Sequence, residues 1–327
     1  MNELNVLYAT DSNYSQHAAA SIYSLLKNNS CFEKINIYII DDNISDECKE
    51  KFYILSKEFP ISQIIFYPFK ELSKNLKLND KTGYAQVGYA RLFLSKICDK
   101  DKILYIDCDT IVNGSLKELW ETEMEDYIVA GVQDNPAFHS LEMVGMTRKH
   151  RYINGGVLLI NLKKWREENA EERILQMIKD YNGFVPHHDQ GIINGVFKDE
   201  IKILHPKFNT MSQFFDTKAN QIKSLYDIEN YYTQAELDEA VKNPAIIHYI
   251  TKFYNRPWFK SCTHPLKDLY IENLKKTPFE VKLFDGELNK KIKIRKFIFN
   301  HFPFFVYSLC EKTLNIKRRK NVNTRHF

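Results

Sequence analysis

The chain has 327 residues, 44% of them hydrophobic, which suffices for the core of one large α/β domain or two smaller ones and excludes disorder over most of the length. The formal net charge of +4 conceals two regions: Asn289 to Phe327 carries 11 Lys or Arg against one acidic residue, Glu311, so a +10 tail follows an acidic body of net −6. No run of 18 apolar residues occurs, which excludes an ordinary membrane-spanning helix.

Residues 5–9 form the first predicted strand and 14–26 a helix by apolar spacing. A second strand covers 35–40, followed by a helix that Ser45 is placed to cap. Residues 61–67 read as a third strand, 89–98 as a short helix and 102–106 as the next strand. Strands at 128–132 and 156–161 come next, then one helix over 162–181 that stops at Asn182-Gly183. Residues 210–244 are polar and weakly periodic, and 245–249 read as a strand. Strand and helix alternate, so the expected fold class is α/β, a mainly parallel sheet with helices on both faces.

The strand at 102–106 runs straight into Asp107-Cys108-Asp109. Carboxylates one residue apart share a face of an extended chain, with Cys108 turned to the protein. At the C-terminal end of a parallel strand they sit where open α/β sheets bind ligands. Both can converge on a hard divalent ion such as Mg²⁺ or Mn²⁺ and leave it room for phosphate oxygens. A second reading is the nucleophile motif of haloacid-dehalogenase-type phosphatases. That motif normally closes the first strand of its domain, whereas here about a hundred residues precede it, and no later Gly-Asp-x-x-x-Asp motif follows.

Other polar residues cluster at strand ends. Asp11, Asn13 and Tyr14 follow the first strand, where a nucleotide base and ribose are usually seated; Asp11 can also cap the following helix. Arg91 lies among apolar neighbours and needs an anionic partner, whether a ligand or a structural carboxylate. Asn154 precedes Gly155-Gly156 and can give a sugar hydroxyl both a donor and an acceptor, or simply make a turn. Asp189-Gln190 opens a helical stretch. His248 ends an apolar strand; beside two carboxylates its neutral imidazole suits Mn²⁺ better than Mg²⁺. Arg256-Pro257-Trp258 follows and can close over a pyrophosphate.

Taken in order, Ala9-x-Asp11-x-Asn13-Tyr14, Tyr89-Ala90-Arg91, Leu104-Tyr105-Ile106-Asp107-Cys108-Asp109, Asn154-Gly155-Gly156-Val157-Leu158-Leu159-Ile160-Asn161-Leu162, Asp189-Gln190-Gly191-Ile192-Ile193-Asn194 and His248-Tyr249 with Pro257-Trp258 resemble the retaining glycosyltransferases of family 8. The resemblance spans about residues 5–260. It implies a GT-A fold over residues 1–288, with a donor part to about 135 and an acceptor part over about 136–288, a UDP-sugar donor carrying galactose or glucose, a saccharide acceptor and Mn²⁺. Carried over by residue, Asp107, Asp109 and His248 would bind the metal. Ala9, Asp11 and Asn13 would hold uridine, with Tyr14 and Cys108 beside them. Arg91, Asp107, Asn154 and Asp189 would touch the donor sugar, Gln190 would lie at the anomeric carbon, and Asp134 near donor or acceptor. Asp189 and Gln190 are the catalytic candidates. Arg256 stands where the family usually has Lys before Pro-Trp, and the family's His-Tyr-x-Gly is absent, so Lys252 competes with Arg256 for the diphosphate.

The start, Met1-Asn2-Glu3-Leu4, lacks the basic and apolar runs of a signal peptide, and the six cysteines lack metal or redox spacing; both predict a reducing cytoplasm. In the tail, residues 290–296 and 317–320 are basic and 297–309 aromatic and apolar. That pattern predicts attachment to an anionic membrane surface rather than to nucleic acid, and with it a lipid-linked saccharide acceptor and a peripheral location. A non-catalytic sugar-nucleotide or glycan-binding protein on the same fold is the remaining alternative.

Overall fold

The structure, a computed structural model, describes residues 2–79, 86–136 and 138–323. Residues 324–327 of the predicted tail lie outside that set. The strands are β1 (Glu3–Thr10), β2 (Lys34–Asp41), β3 (Ser62–Pro68), β4 (Lys102–Ile106), β5 (Thr110–Val112), β6 (Val129–Gln133), β7 (Ile153–Asn161), β8 (Ile201–Ile203), β9 (Thr210–Met211) and β10 (Ile246–His248). Seven of them form a sheet of order β3-β2-β1-β4-β7-β6-β8, and the other three a small sheet of order β5-β10-β9. Pairing is parallel from β3 through β4 and between β6 and β8; only β7 runs against its neighbours. The mixed α/β, mainly parallel sheet expected from the sequence is present.

The strands are apolar nearly throughout because both faces of the sheet are covered. β1 sends Leu4, Val6 and Tyr8 into one hydrophobic cluster and Leu7 into another. The first cluster lies under the helices Ser15–Asn28, Asp46–Lys57 and Lys267–Leu274. The second lies under Leu162–Glu167, Ala170–Asp180 and His188–Val196. Ser45 does cap its helix, accepting from the Cys48 N–H at 3.3 Å.

Three local readings change. The helix expected over 162–181 is two, broken at Asn169, which takes a left-handed φ of 50°. The helix expected over 89–98 is a 3₁₀ segment, Gln86–Leu92, with Ala90 and Leu92 buried in it and Phe93 and Leu94 buried beyond its end. β7 begins at Ile153, three residues before the expected start at 156, so Asn154-Gly155 is strand and not turn.

The tail forms two helices, Lys290–His301 and Phe304–Asn323, that touch the body. Tyr307 is buried with Leu225 and Phe253, the Lys296 ammonium donates to the Phe253 carbonyl at 2.8 Å, and Arg295 pairs with Glu311 between the two helices. The opposite side of this hairpin exposes Ile294, Phe297, Phe302, Phe305 and Leu309. No helix among the described residues is long and apolar enough to cross a membrane.

Candidate active site

The two sheets meet at the acidic triplet. β4 delivers Asp107 beyond Ile106, and β5 starts at Thr110, so the triplet is the corner between them. On the small sheet His248 pairs with Thr110, and the Tyr249 N–H bonds the Asp109 carbonyl at 3.0 Å. That register is what brings an imidazole from residue 248 beside carboxylates at 107 and 109. On the large sheet Ile106 pairs with Val157, and the Asp107 N–H bonds the Gly156 carbonyl at 2.8 Å. A Cβ at Gly156 would lie 2.2 Å from His248 Cε1 and 2.9 Å from Asp107 Oδ2, so only glycine lets the two ligands close over that strand. Cys108 points inward, its thiol donating to the Ala9 carbonyl at 3.3 Å.

Asp107, Asp109 and His248 each place one ligand atom within 4.8 Å of the others. His248 Nε2 lies 3.2 Å from Asp109 Oδ1 and 4.0 Å from Asp107 Oδ2. Two carboxylates and an imidazole form a donor set that fits Mn²⁺ or Mg²⁺. Burial pushes the Asp107 carboxyl up, but the Arg91 guanidinium and the Tyr105 hydroxyl beside it hold it below the usual carboxylate range. Burial lowers His248, offset in part by Asp107, which keeps the imidazole in the neutral form that can ligate.

Arg91 is the hub behind the carboxylates. It is 5% exposed, donates to Asp107 Oδ1 at 2.8 Å, pairs through Nε with Asp189 Oδ2 at 3.0 Å and bonds the Gly155 carbonyl. Its guanidinium also lies 4.0 Å over the Tyr105 ring. Asp189, itself buried, anchors this arginine from the first turn of a helix whose N-cap residue is His187. Next to it, Gln190 Oε1 accepts the Gly155 N–H at 2.9 Å, and its Nε2 reaches Asp134 Oδ2 at 3.2 Å. Asn154 Nδ2 donates to the same Asp134 oxygen at 3.0 Å. Asp134, Asn154, Asp189 and Gln190 are therefore gathered beside Arg91 and the metal ligands.

In front lies a cleft of about 240 Å³ lined by Ala9, Asp11, Tyr14, Cys108 and Arg256 together with Arg91 and both carboxylates. The N-cap of the helix Ser15–Asn28 is Tyr14, not Asp11; Asp11 closes the turn before it and lines the cleft at once, its Oδ1 accepting the Tyr14 N–H at 2.8 Å. Asn13 is exposed, with its amide 3.5 Å from Asp11 Oδ2. Arg256 pairs with Asp109 and donates to the Tyr249 carbonyl at 2.5 Å. Lys252 is placed elsewhere. Its ammonium donates to Thr217 Oγ1 at 3.0 Å, and burial lowers it to about 8, with Asp216 opposing. Of the two candidates for the diphosphate, the cleft holds Arg256.

Sequence reasoning missed Tyr105, whose hydroxyl donates to Asp107 Oδ1 at 2.6 Å, and Asn209, whose amide oxygen meets His248 Nδ1 at 2.9 Å. Tyr105 falls on the alternation of β4 two residues before Asp107 and so shares its face, a signal that was available. Asn209 ends a 3₁₀ turn and carries no such signal.

The family model of Glycosyl transferase family 8 matches residues 5–262. A Haemophilus influenzae protein provisionally named a glycosyltransferase is 31% identical over 89% of the chain and 88% of its own length. The lipopolysaccharide 1,2-glucosyltransferase of Escherichia coli is 30% identical over 83% of the chain and 77% of its length. Among solved structures, the galactosyltransferase LgtC in complex with donor and acceptor sugar analogs superposes with a TM-score of 0.68 at 24% identity, covering 85% of this chain and 97% of that one. This likeness shows the same GT-A fold. With the family match over most of the chain and the carboxylate–imidazole corner at the C-terminal edge of its sheet, the chain belongs to glycosyltransferase family 8.

Proposed function

We propose that this protein transfers a hexose, galactose or glucose, from a UDP-sugar to a saccharide acceptor with retention of anomeric configuration, dependent on Mn²⁺. The observation that carries the reading is the convergence of Asp107, Asp109 and His248 at the mouth of the cleft that Asp11 and Tyr14 line. A bound divalent cation there would neutralise charge on the diphosphate leaving group. Asp11 and Tyr14 are placed to bind and orient the base, and Arg256 to bind phosphate as a fork once it leaves Asp109. Asn154 and Asp134 orient the sugar hydroxyls, with Arg91 fixed behind them. Gln190 carries no charge and is a poor nucleophile, which supports attack on the face from which UDP departs, its amide oxygen steadying positive charge at the anomeric carbon. The departing phosphate oxygen then takes the acceptor's proton. The family match over residues 5–262 weighs against the phosphatase alternative.

Screening UDP-sugars for Mn²⁺-dependent UDP release by the full chain tests this. Release from UDP-galactose or UDP-glucose is expected, and no release from any UDP-sugar with Mn²⁺ present would overturn it. Gln190→Ala should lower kcat about 10²-fold or more while donor affinity changes little, since the amide acts mainly in the transition state. An unchanged kcat with weakened donor binding would instead make Gln190 a ground-state contact.

The acceptor in this reading is lipid-linked and the protein works peripherally on the cytoplasmic face of a membrane. The E. coli relative, named for lipopolysaccharide, supports the acceptor class. The exposed apolar side of the tail hairpin beside Lys290, Lys291 and Lys293 supports the surface. Each basic residue at an anionic bilayer contributes about 1 kcal/mol, and apolar insertion adds a part that salt does not screen. The double variant Phe305→Asp/Leu309→Asp alters only outward positions and spares the buried Tyr307 contact. In flotation with phosphatidylglycerol vesicles the wild type should float and the variant should stay behind with its UDP release intact. Equal flotation of both would remove the hairpin as the anchor.

A further inference from the structure

We propose that Asn209 is a positioning residue that fixes the metal-binding face of His248 and ties it to the sugar side of the site. The inference rests on the reading of Asp107, Asp109 and His248 as a metal centre. Asn209 ends the 3₁₀ turn Pro206–Asn209 just before β9 and is fully buried. Its two amide atoms touch only site residues in the hydrogen bonds it makes: Oδ1 meets His248 Nδ1 at 2.9 Å, and Nδ2 donates to Asn154 Oδ1 at 2.9 Å.

The orientation of this amide follows from the backbone. Asn154 Oδ1 accepts the Gly156 N–H at 2.9 Å, and a backbone N–H can only donate, so that atom of Asn154 is an oxygen. The atom of Asn209 facing it must then be nitrogen, and the atom facing His248 must be oxygen. An oxygen there requires the proton of the imidazole to be on Nδ1. The lone pair of Nε2 is thereby aimed at the space shared with Asp107 and Asp109. The other end of the relay holds Asn154, whose Nδ2 bonds the same Asp134 oxygen that receives Gln190 Nε2. One buried amide thus sets both the tautomer of a metal ligand and the pose of the asparagine next to the catalytic glutamine. Partners of this kind behind ligating histidines are typically worth 10–100-fold in metal affinity.

The experiment measures Mn²⁺ affinity of the full chain in the presence of UDP, by loss of the free-ion EPR signal, with melting temperature as the folding control. Asn209→Leu keeps the volume and removes the acceptor; it should weaken Mn²⁺ about 10–100-fold. Asn209→Asp still offers an oxygen to Nδ1–H, though its second oxygen opposes Asn154 Oδ1, and should bind Mn²⁺ more tightly than Asn209→Leu. The excess affinity for UDP-galactose or UDP-glucose over UDP should shrink in Asn209→Leu, because Asn154 has lost a donor. A folded Asn209→Leu with wild-type Mn²⁺ affinity overturns the proposal. Should Asn209→Leu fail to fold, Asn209→Ala, which removes both amide atoms, decides: wild-type Mn²⁺ affinity in it overturns the proposal, and a loss of about 10–100-fold upholds it. A wild type that binds no Mn²⁺ overturns the metal centre itself, and the relay with it.

Discussion

Gly156→Ala is expected to abolish transfer in a chain that still folds. The added methyl would sit 2.2 Å from His248 Cε1, 2.8 Å from His248 Nδ1 and 2.9 Å from Asp107 Oδ2, all closer than atoms pack. Neither neighbour has room to yield. Asp107 is held by Arg91 and Tyr105, and His248 by Asn209. The ring or the strand must move, and the three ligand atoms then lose their common focus. Overpacking of this kind costs about 1–3 kcal/mol, which a domain of this size tolerates. Gly131→Ala is the matched control. Its methyl meets Ile153 Cδ1 at 2.8 Å and the Ile153 Cβ at 3.1 Å, a milder crowding in the same sheet with no site residue among its contacts. Mn²⁺ affinity, melting temperature and UDP release should separate the two: both variants lose stability, and only Gly156→Ala loses metal and activity. Equal loss of activity in both would mean that sheet packing, not ligand placement, sets the rate.

Alanine at Asp107, Asp109 or His248 should lower transfer by about 10³-fold or more, since a metal's charge on a diphosphate is worth several kcal/mol. The three should differ in stability. Asp107→Ala takes one of two carboxylates from buried Arg91 and leaves the Tyr105 hydroxyl without its acceptor, so it should melt lowest. Asp109→Ala releases Arg256, which keeps the Tyr249 carbonyl. His248→Ala leaves the Asn209 amide oxygen unpaired in the core, at about 1–3 kcal/mol. Calorimetric Mn²⁺ titration with UDP present is the measurement, and wild-type metal affinity in all three variants would refute the assignment.

Much of this site could be read along the chain because its ligands sit at the ends of strongly apolar strands. β1, β2 and β4 announce themselves by runs such as Ile103-Leu104-Tyr105-Ile106, and Asp107 and Asp109 follow at the position where such sheets bind ligands. His248 was legible for the same reason, as the end of Ile246-Ile247. What escaped lies where pattern and structure part. Asn154-Gly155 carries turn chemistry but is strand, and the glycine at 156 is demanded by His248 and Asp107 from other elements. The helix break at Asn169 interrupts an apolar period that continues through Ile174 and Ile178 on the far side. β5 and β9 span three and two residues, too short for any alternation to show. Asn209 is a single amide in an aperiodic stretch; its partners are 55 and 39 residues away.

Cys108, wedged between the two carboxylates, has a consequence for the chemistry of ageing and handling. Burial, and after it the Asp107 charge, pushes its thiol up to about 12. At neutral pH only roughly one such thiol in 10⁵ is ionised, and the thiolate is the form that oxidants and alkylating reagents attack. The burial that seats Cys108 behind the two carboxylates keeps its sulfur inert. An enzyme whose central motif contains a cysteine is thus insulated from peroxide and disulfide exchange at that motif, and exposed Cys31 stands open to such reagents instead.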